Sequence, residues 1–315
     1  MTLHLPRFVH CCRVPSGLLL VLACTVGLSL PTAGHTPLPT ANIVLYGSSP
    51  TGERAMSNLT QAVLEQDPDA RQLASAMGES ALHELAPLLE HDDPLVRMRA
   101  VMALGGIDIL TSRTALFKAL DDPDFNVMQT ALSEIERQQH KLSVDLLTGL
   151  LEKLQDINAR NRIILILGQR LSINQTAALD KYCNVQQPPD VVLHCMAALA
   201  RIGVEQRRQQ FSSYLIKAQQ DHDALQDVFQ LVEYINQPWL VASLRQLLTN
   251  KSPFRALQNP VANFPDETRV CDEAVLLIGR LLPSLSLSFD TSLYTNFSDE
   301  QIAELNYAAS QYKYE

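Results

Sequence analysis

The feature that most constrains the fold is a recurring phrase, in which a proline next to an acidic residue precedes an apolar run spaced with alanines. The segment 94–107, PLVRMRAVMALGGI, aligns without a gap with 189–202, PDVVLHCMAALARI. The two copies are 95 residues apart, which corresponds to three units of about 32 residues, a period typical of helical repeats. Two intermediate copies fall at 121–135 and 155–168, where that period places them. The chain is therefore predicted to repeat one small structural unit.

Each copy has the pattern of a helix start. Asp93 suits the N-cap because its carboxylate can accept hydrogen bonds from the first N–H groups, and Pro94 suits the first helical position, where a missing N–H costs nothing. The preceding segment 81–91, ALHELAPLLEH, forms another amphipathic helix. The unit is therefore a pair of helices joined by a tight turn. In later copies the same turn and cap positions are assigned to Asp122, Pro123, Pro189 and Asp190.

Repeated helix pairs predict an all-α solenoid, because one pair cannot bury its apolar face alone and neighbouring pairs stack into a continuous core. Leu and Ala are abundant and only 12 of 315 residues are glycine, which favours helices over sheets. No segment shows a convincing strand alternation. Looser copies at 221–235 and 264–282, the second after an inserted loop at 251–263, extend the repeat domain to 55–282. We expect about six to seven repeats.

The phrase that begins at Asp93, D-P-x-V-R-x-x-A-x-x-A-L-G, resembles a HEAT repeat, and more narrowly the short type of roughly 30 residues called PBS-lyase-like. The resemblance is strong over 81–136 and weaker after it. It implies a right-handed superhelix of helix pairs, in which a turn aspartate and an arginine of the second helix pair between neighbouring repeats. Asp93 and Arg97 match those positions. Asn126 and Val192 replace the arginine in two later copies, so a continuous ladder is not expected.

The N-terminus predicts export. Arg7 and Arg13 precede a 14-residue apolar run at 17–30, GLLLVLACTVGLSL, and the small residues PTAG follow at 31–34. This order of a basic start, an apolar segment and small residues is typical of a cleaved secretory signal, here over 1–34.

Two alternatives to cleavage stay open. The string VLAC resembles the lipobox of bacterial lipoproteins, which would place a lipid on Cys24. An uncleaved anchor is the other, since about 18–20 apolar residues can span a bilayer. All three interpretations place the folded body outside the cytoplasm, and we favour the bacterial periplasm or cell envelope. Residues 35–54, rich in Pro, Thr, Ser and Gly, are predicted to be a flexible tether.

Three cysteines lie beyond the predicted signal, namely Cys183, Cys195 and Cys271. In an oxidising compartment Cys183 and Cys195 can form a disulfide. The alternative is that all three are small buried apolar residues. No CxxC motif or Cys/His cluster has zinc-ligand spacing, so no metal or other cofactor is predicted.

The charge balance argues against nucleic-acid binding. The chain has 25 Lys and Arg against 34 Asp and Glu, a net charge of −9, whereas binding to a phosphate backbone depends on basic side chains. The sequence also lacks a GxSxG elbow, a P-loop and an HExxH motif. His91, His194 and His222 stand beside carboxylates or a cysteine, but helix caps and packing explain these neighbours. No catalytic residue is assigned.

Residues 283–315 depart from the repeat pattern. The segment 283–297 is rich in Ser and Thr and is predicted to be irregular. Ser298 and Gln301 have the spacing of a capping box, which predicts a last helix of about 299–312. Such a helix would cover the open end of the solenoid.

These features favour an exported, non-catalytic scaffold that binds a protein or peptide on the concave surface of its repeats. An acidic surface favours a basic or polar partner. Membrane contact is expected only through a lipid at Cys24 or an uncleaved N-terminal segment. The alternative is an enzyme or an enzyme accessory, lyase-like or hydrolytic, built on the same repeats; similar repeats occur in proteins that attach bilin chromophores to cysteines.

Overall fold

A computed structural model describes residues 58–256 and 267–312 of the chain. All of them belong to one unit, Arg54–Glu315. The predicted signal over 1–34 and the predicted tether over 35–54 lie outside the described residues.

Helices make up most of the described residues, and their bounds follow in chain order. The first eight are α1 (Asn58–Glu65), α2 (Ala70–Met77), α3 (Glu79–Leu88), α4 (Pro94–Leu104), α5 (Leu110–Lys118), α6 (Phe125–Arg137), α7 (Val144–Lys153) and α8 (Ile157–Arg170). The remaining seven are α9 (Ala177–Asp180), α10 (Pro189–Ile202), α11 (Glu205–Ala218), α12 (His222–Ile235), α13 (Val241–Leu244), α14 (Val270–Leu281) and α15 (Asp299–Gln311).

From α3 to α14 the helices form six consecutive pairs, in which a short connection joins the first helix to the second, except in the last pair, where two β-strands lie between α13 and α14. The second helices pack side by side, α4 on α6, α6 on α8, α8 on α10 and α10 on α12. This succession confirms the predicted all-α, HEAT-like solenoid. Within the described segments, no helix is both long enough and apolar enough to cross a lipid bilayer.

The hydrophobic core consists of two clusters that meet at α10. One side of this helix, which includes Cys195, Ala198 and Leu199, belongs to the cluster formed with the helices before it. Another side, which includes Met196 and Ala197, belongs to the cluster formed with the helices after it. Because α10 is covered on both sides, every residue from Cys195 to Ala200 is buried, and three of these six residues are alanines.

Close packing between the second helices depends on small side chains. A Cβ atom at Gly168 of α8 would lie 2.2 Å from the Tyr234 hydroxyl and 2.6 Å from the Ala198 Cβ atom. The Tyr234 hydroxyl donates a hydrogen bond to the carbonyl of Leu165, 2.8 Å away. Glycine at position 168 therefore lets α8, α10 and α12 approach one another closely.

The segment 238–248 does not form one continuous α-helix. Two 3₁₀ turns, Pro238–Leu240 and Arg245–Leu247, flank the four residues of α13. Side chains three residues apart lie on one face of both helix types, and Val241, Leu244 and Leu247 are all buried. This apolar triplet therefore packs into the second cluster of the core.

A two-stranded antiparallel hairpin follows, formed by β1 (Pro253–Ala256) and β2 (Glu267–Arg269). The prediction of no strands was wrong at this position. Each strand has only three or four residues, too few to show an alternating pattern in the sequence. Phe254 of β1 is buried against Phe229, with ring centroids 5.2 Å apart, so the hairpin extends the second cluster of the core.

The structure joins Cys183 and Cys195 in a disulfide, with Cα atoms 5.4 Å apart, and leaves Cys271 as a buried thiol. The bridge connects α10 to the segment that stands in for a full first helix in this repeat. That segment contains only the four-residue α9. The cross-link thus fixes a part of the solenoid that has few helical hydrogen bonds of its own.

A buried carboxylate connects the end of the solenoid to the C-terminal segment. Asp272, in the first turn of α14, accepts hydrogen bonds from the backbone N–H of Arg269 at 3.0 Å and from its guanidinium at 2.8 Å. It also accepts one from the backbone N–H of Phe297 at 3.0 Å. The predicted capping box of Ser298 and Gln301 is confirmed and starts α15 directly afterwards.

Candidate functional site: the turn edge of the repeats

The turn edge is the surface formed by the turns before α4, α6 and α8 and by the first residues of these helices, at 91–95, 119–125 and 154–157. In the first turn, Asp93 is the N-cap and accepts a hydrogen bond from the backbone N–H of Leu95 at 2.9 Å. Pro94 occupies the first helical position. His91 Nδ1 accepts a hydrogen bond from the backbone N–H of Asp93 at 3.0 Å, so all three groups shape the turn.

The second turn differs from the predicted one. The helix begins at Phe125, and Asp124 is its N-cap, accepting hydrogen bonds from the backbone N–H groups of Asn126 and Val127. Asp122 and Pro123 therefore lie in the turn and do not cap the helix. Asp122 is not free to cap because its carboxylate binds an arginine of the preceding repeat.

That arginine is Arg97 of α4. It donates two hydrogen bonds to the Asp122 carboxylate, at 2.8 and 2.9 Å, and another to the carbonyl of His91 at 2.8 Å. The hydrogen bond from Arg97 lowers the pKa of the Asp122 carboxyl, and the same contact raises the pKa of Arg97. One side chain thus connects the turns of two neighbouring repeats.

The later turns lack this connection. Before α8, Asp156 is the N-cap and accepts a hydrogen bond from the backbone N–H of Ala159 at 2.7 Å. Pro189 is at the first position of α10, and Asp190 lies exposed in its first turn. Val192 occupies the position that Arg97 has in α4. The arginine–aspartate ladder therefore does not continue to α10 through this position.

Three large apolar side chains are exposed along the turn edge, one at the start of each second helix. They are Leu95, Phe125 and Ile157, with 50%, 61% and 39% of their surface exposed. Each stands at the first or second position of the second helix of its repeat. The first turns of α10 and α12 carry Asp190 and Asp223 instead, so the apolar part of the edge ends after the third repeat.

A depression of about 390 Å³ lies between the second and third turns of the edge. Leu120, Met128 and Leu154 are buried beneath it, and Phe125 contributes an exposed side. The remaining lining residues are Asp121, Asp122, Pro123, Gln155 and Asp156. The depression thus has an apolar floor and an acidic rim.

The other predicted candidates have structural partners. Asp221 caps α12, accepting hydrogen bonds from the backbone N–H groups of Asp223 and Ala224. His222 and His194 each face a backbone carbonyl, His194 at 2.8 Å from that of Asp190. Cys195 is in the disulfide. Among the residues that the structure describes, no three His, Cys, Asp or Glu side chains are grouped to hold a metal ion.

Sequence reasoning missed the roles of Leu95, Phe125 and Ile157. Each of these residues stands inside a helical segment rich in apolar residues, so its sequence context does not distinguish it from a core residue. The usable signal was position: each directly follows a cap aspartate or a cap followed by proline. A side chain there precedes the apolar face, which in α4 begins at Val96.

Comparison with known proteins agrees with this architecture. A family model described as HEAT repeats matches residues 82–168, a segment that contains the three turns of the turn edge. This match supports the interpretation of the chain as a HEAT-repeat protein. No curated protein matches the chain significantly.

Proposed function

We propose that the protein is an exported, non-catalytic scaffold that binds another protein through its turn edge. One observation carries this proposal, the exposure of Leu95, Phe125 and Ile157 at the start of the second helix in three consecutive repeats. Single exposed apolar residues are normal on protein surfaces. A row of them beside a depression with an apolar floor is instead characteristic of an interaction surface.

Hydrogen bonds and ion pairs between neighbouring repeats hold the helices beneath this surface in place, which favours binding. Arg97 connects the first two turns, and Arg162 of α8 pairs with Glu136 of α6 and donates to the side chain of Gln129 at 2.9 Å. At the opposite ends of the helices, Gln138 donates to the carbonyl of Gly105 at 2.9 Å. A surface held in place before binding loses less conformational entropy when a partner docks.

Two observations support export. The first is the N-terminal pattern of basic residues, apolar run and small residues over 1–34. The second is the Cys183–Cys195 disulfide, since disulfides persist mainly in oxidising compartments outside the cytoplasm. The bacterial periplasm or cell envelope is the compartment we favour, with lipid attachment at Cys24 as the alternative to cleavage.

A non-catalytic role agrees with the positions of the reactive side chains. The imidazoles of His194 and His222 face backbone carbonyls, and the sulfur of Cys195 is in a disulfide bond. Each of these groups therefore has a structural role in the solenoid. No specific observation favours the lyase-like or hydrolytic alternative.

Site-specific crosslinking in the host tests the scaffold proposal. A photoreactive phenylalanine analogue replaces Phe125, and in a control variant it replaces Gln169, which is exposed at the far end of α8. We expect a discrete crosslinked protein from position 125 and none from position 169. The proposal is wrong if position 125 gives no adduct, or if both positions give the same adducts.

The mature N-terminus tests export separately. Mass spectrometry of the isolated protein should find a start near His35 if the signal is cleaved. A lipid-modified Cys24 would indicate a lipoprotein, and an intact Met1 would indicate an anchor. An unprocessed chain recovered from the cytoplasm would contradict export.

A further inference from the structure

We infer that the turn edge recognises an extended, basic segment of its partner that carries an apolar side chain at every third residue. This inference rests on the proposed function, because it names the partner chemistry of the same surface. It is argued in turn from charge, from the shape of the depression and from the spacing of the repeats.

The charge of the turn edge is negative. Asp92 and Asp121 are exposed, and neither forms an ion pair within the described residues. Asp93, Asp124 and Asp156 are caps, and each helix N-terminus offsets only about half of a unit charge. A docking segment therefore needs Lys or Arg side chains to complement this surface.

Two of the nearby cations, Arg97 and Lys118, already have acidic partners, whereas Lys153, beside the third turn, is exposed and forms no ion pair within the described residues. Arg97 is bound to Asp122 at 2.8 Å, and Lys118 pairs with Glu90 at 2.6 Å. The negative character also continues past the apolar part of the edge, where Asp190 and Asp223 replace the apolar residues. The acidic surface is therefore longer than the apolar row, which favours a basic segment over an apolar patch alone.

The depression provides a place for one apolar side chain. Its volume of about 390 Å³ is within the roughly 300–1,000 Å³ range of small-ligand sites. Leu120, Met128 and Leu154 close its floor, and Phe125 gives an inserted side chain an aromatic surface to pack against. Apolar contact is thus available between the acidic turns.

The spacing of the repeats indicates which conformation the bound partner segment adopts. Packed neighbouring helices lie roughly 8–10 Å apart, so we expect apolar side chains at the starts of α4, α6 and α8 to recur at about that spacing. In a polyproline II segment, side chains on one face recur every three residues, or about 9.3 Å. In a β-strand they recur every two residues, or about 6.7 Å. The first of these matches the expected spacing, and the second does not.

Binding of short peptides to the full chain tests the inference. The main probe is a nine-residue peptide with leucine at every third position and lysine elsewhere, too short to form a stable helix in water. One control peptide has the same composition with leucine at every second position. Another keeps the third-residue spacing and replaces lysine with glutamate. Affinity is measured by fluorescence anisotropy at two salt concentrations.

We expect the main probe to bind at least about tenfold more tightly than either control peptide, with affinity falling as salt rises. Phe125→Ser and Asp121→Lys should each weaken its binding about tenfold. Ile173→Ser is the matched control, because Ile173 is 51% exposed but lies outside the turn edge, and it should leave binding unchanged. Circular dichroism verifies that each variant is folded.

The inference is overturned if the glutamate peptide binds as well as the main probe, if leucine spacing has no effect, or if Phe125→Ser and Ile173→Ser act alike. Failure of this inference is distinguishable from failure of the scaffold proposal. If position 125 crosslinks a partner in the host but the main probe does not bind, the scaffold stands and the basic-segment inference is wrong. If neither occurs, both are wrong.

Discussion

The repeats from α3 to α8 and the region from α13 to α15 use charged side chains differently. In the repeats, ion pairs such as Arg97–Asp122 and Arg162–Glu136 connect neighbouring units at a partly exposed rim. In the C-terminal region, the Asp272 carboxylate is fully buried and joins three parts of the chain. The first arrangement connects one repeat to the next, whereas the second connects the last helix pair to the chain that leads to α15.

The difference shows two ways of stabilising a solenoid. A repeat contacts mainly its neighbours, so its contacts must be compatible with another copy on each side. The last repeat has no following copy, and its exposed apolar face needs a different cover. Here α15 provides part of that cover, burying Ile302 and Leu305, and Asp272 fixes the chain that leads to it.

The largest effect on stability is expected from removing the buried carboxylate of Asp272. Asp272→Ala leaves the backbone N–H groups of Arg269 and Phe297 without their acceptor, and the Arg269 guanidinium keeps only its hydrogen bond to the carbonyl of Phe297. Breaking a buried ion pair costs about 3–5 kcal/mol. Chemical denaturation should show a loss of that size in the free energy of unfolding.

Asp299→Ala is the control for this variant. The Asp299–Lys251 ion pair lies in the same region, but both side chains are largely exposed. Exposed ion pairs contribute little, so this variant should unfold like the wild type. Equal effects of the two substitutions would contradict the distinction between buried and rim charges.

Reduction of the Cys183–Cys195 disulfide should cause the next largest loss in the free energy of unfolding. The bridge closes a loop with a sequence separation of 12, and opening a loop of this length is expected to cost about 3 kcal/mol. Denaturation of the wild type with and without a reductant measures this loss. The Cys183→Ala/Cys195→Ala variant should no longer respond to the reductant. Free thiols at both Cys183 and Cys195 in the oxidised protein would show that the bridge does not form.

A smaller and pH-dependent effect is expected at Glu273. Burial raises the pKa of its carboxyl above the usual range, against the opposing influence of Arg255. Because an acid with a raised folded-state pKa favours the protonated form, stability falls as the pH rises from its unfolded value through its folded value. Glu273→Gln, which keeps an acceptor for Thr268, should therefore stabilise the protein at neutral pH and lose this advantage in acid.

At Asp122 we expect the opposite dependence of stability on pH. The hydrogen bond from Arg97 lowers its pKa, so its stabilising contribution is present above the ordinary carboxyl pKa and is lost as the pH falls through the lowered value. Asp122→Asn should reduce the unfolding midpoint at neutral pH by less than Asp272→Ala does. The difference from the wild type should shrink in acid. A difference that does not change with pH would mean that the carboxylate charge is not what connects the turns.

Much of the solenoid could be predicted because its signals are local. The period, the N-cap at Asp93 and the capping box at Ser298 depend on residues within a few positions of one another. The start of α6 was misplaced for a physical reason. Three aspartates surround Pro123, any of which can cap a helix, and the choice depends on Arg97, which lies 25 residues before Asp122 and binds it.

The features that the sequence left open depend on how the helices pack. The sequence left two alternatives for the cysteines, a Cys183–Cys195 disulfide or three buried apolar residues, and the choice depends on α10 and the segment after α9 bringing two Cα atoms to 5.4 Å. The exposure of Phe125 is a property of the turn's orientation in the stacked repeats, and its own sequence is as apolar as a core position. The candidate site was therefore identifiable only after the repeats were placed side by side.

The smallest effect on stability is expected at the surface proposed for binding. Phe125→Ser should change the free energy of unfolding by no more than about 0.5 kcal/mol, because the side chain is largely exposed and fills no core volume. Met128→Ala, one turn further along the same helix, removes a buried side chain and should cost about 2–5 kcal/mol. Denaturation of both variants separates the two roles. A large loss from Phe125→Ser would place Phe125 in the core and remove the reason for treating the turn edge as a binding surface, whereas a small loss leaves partner binding as the physical account of an aromatic residue at this position.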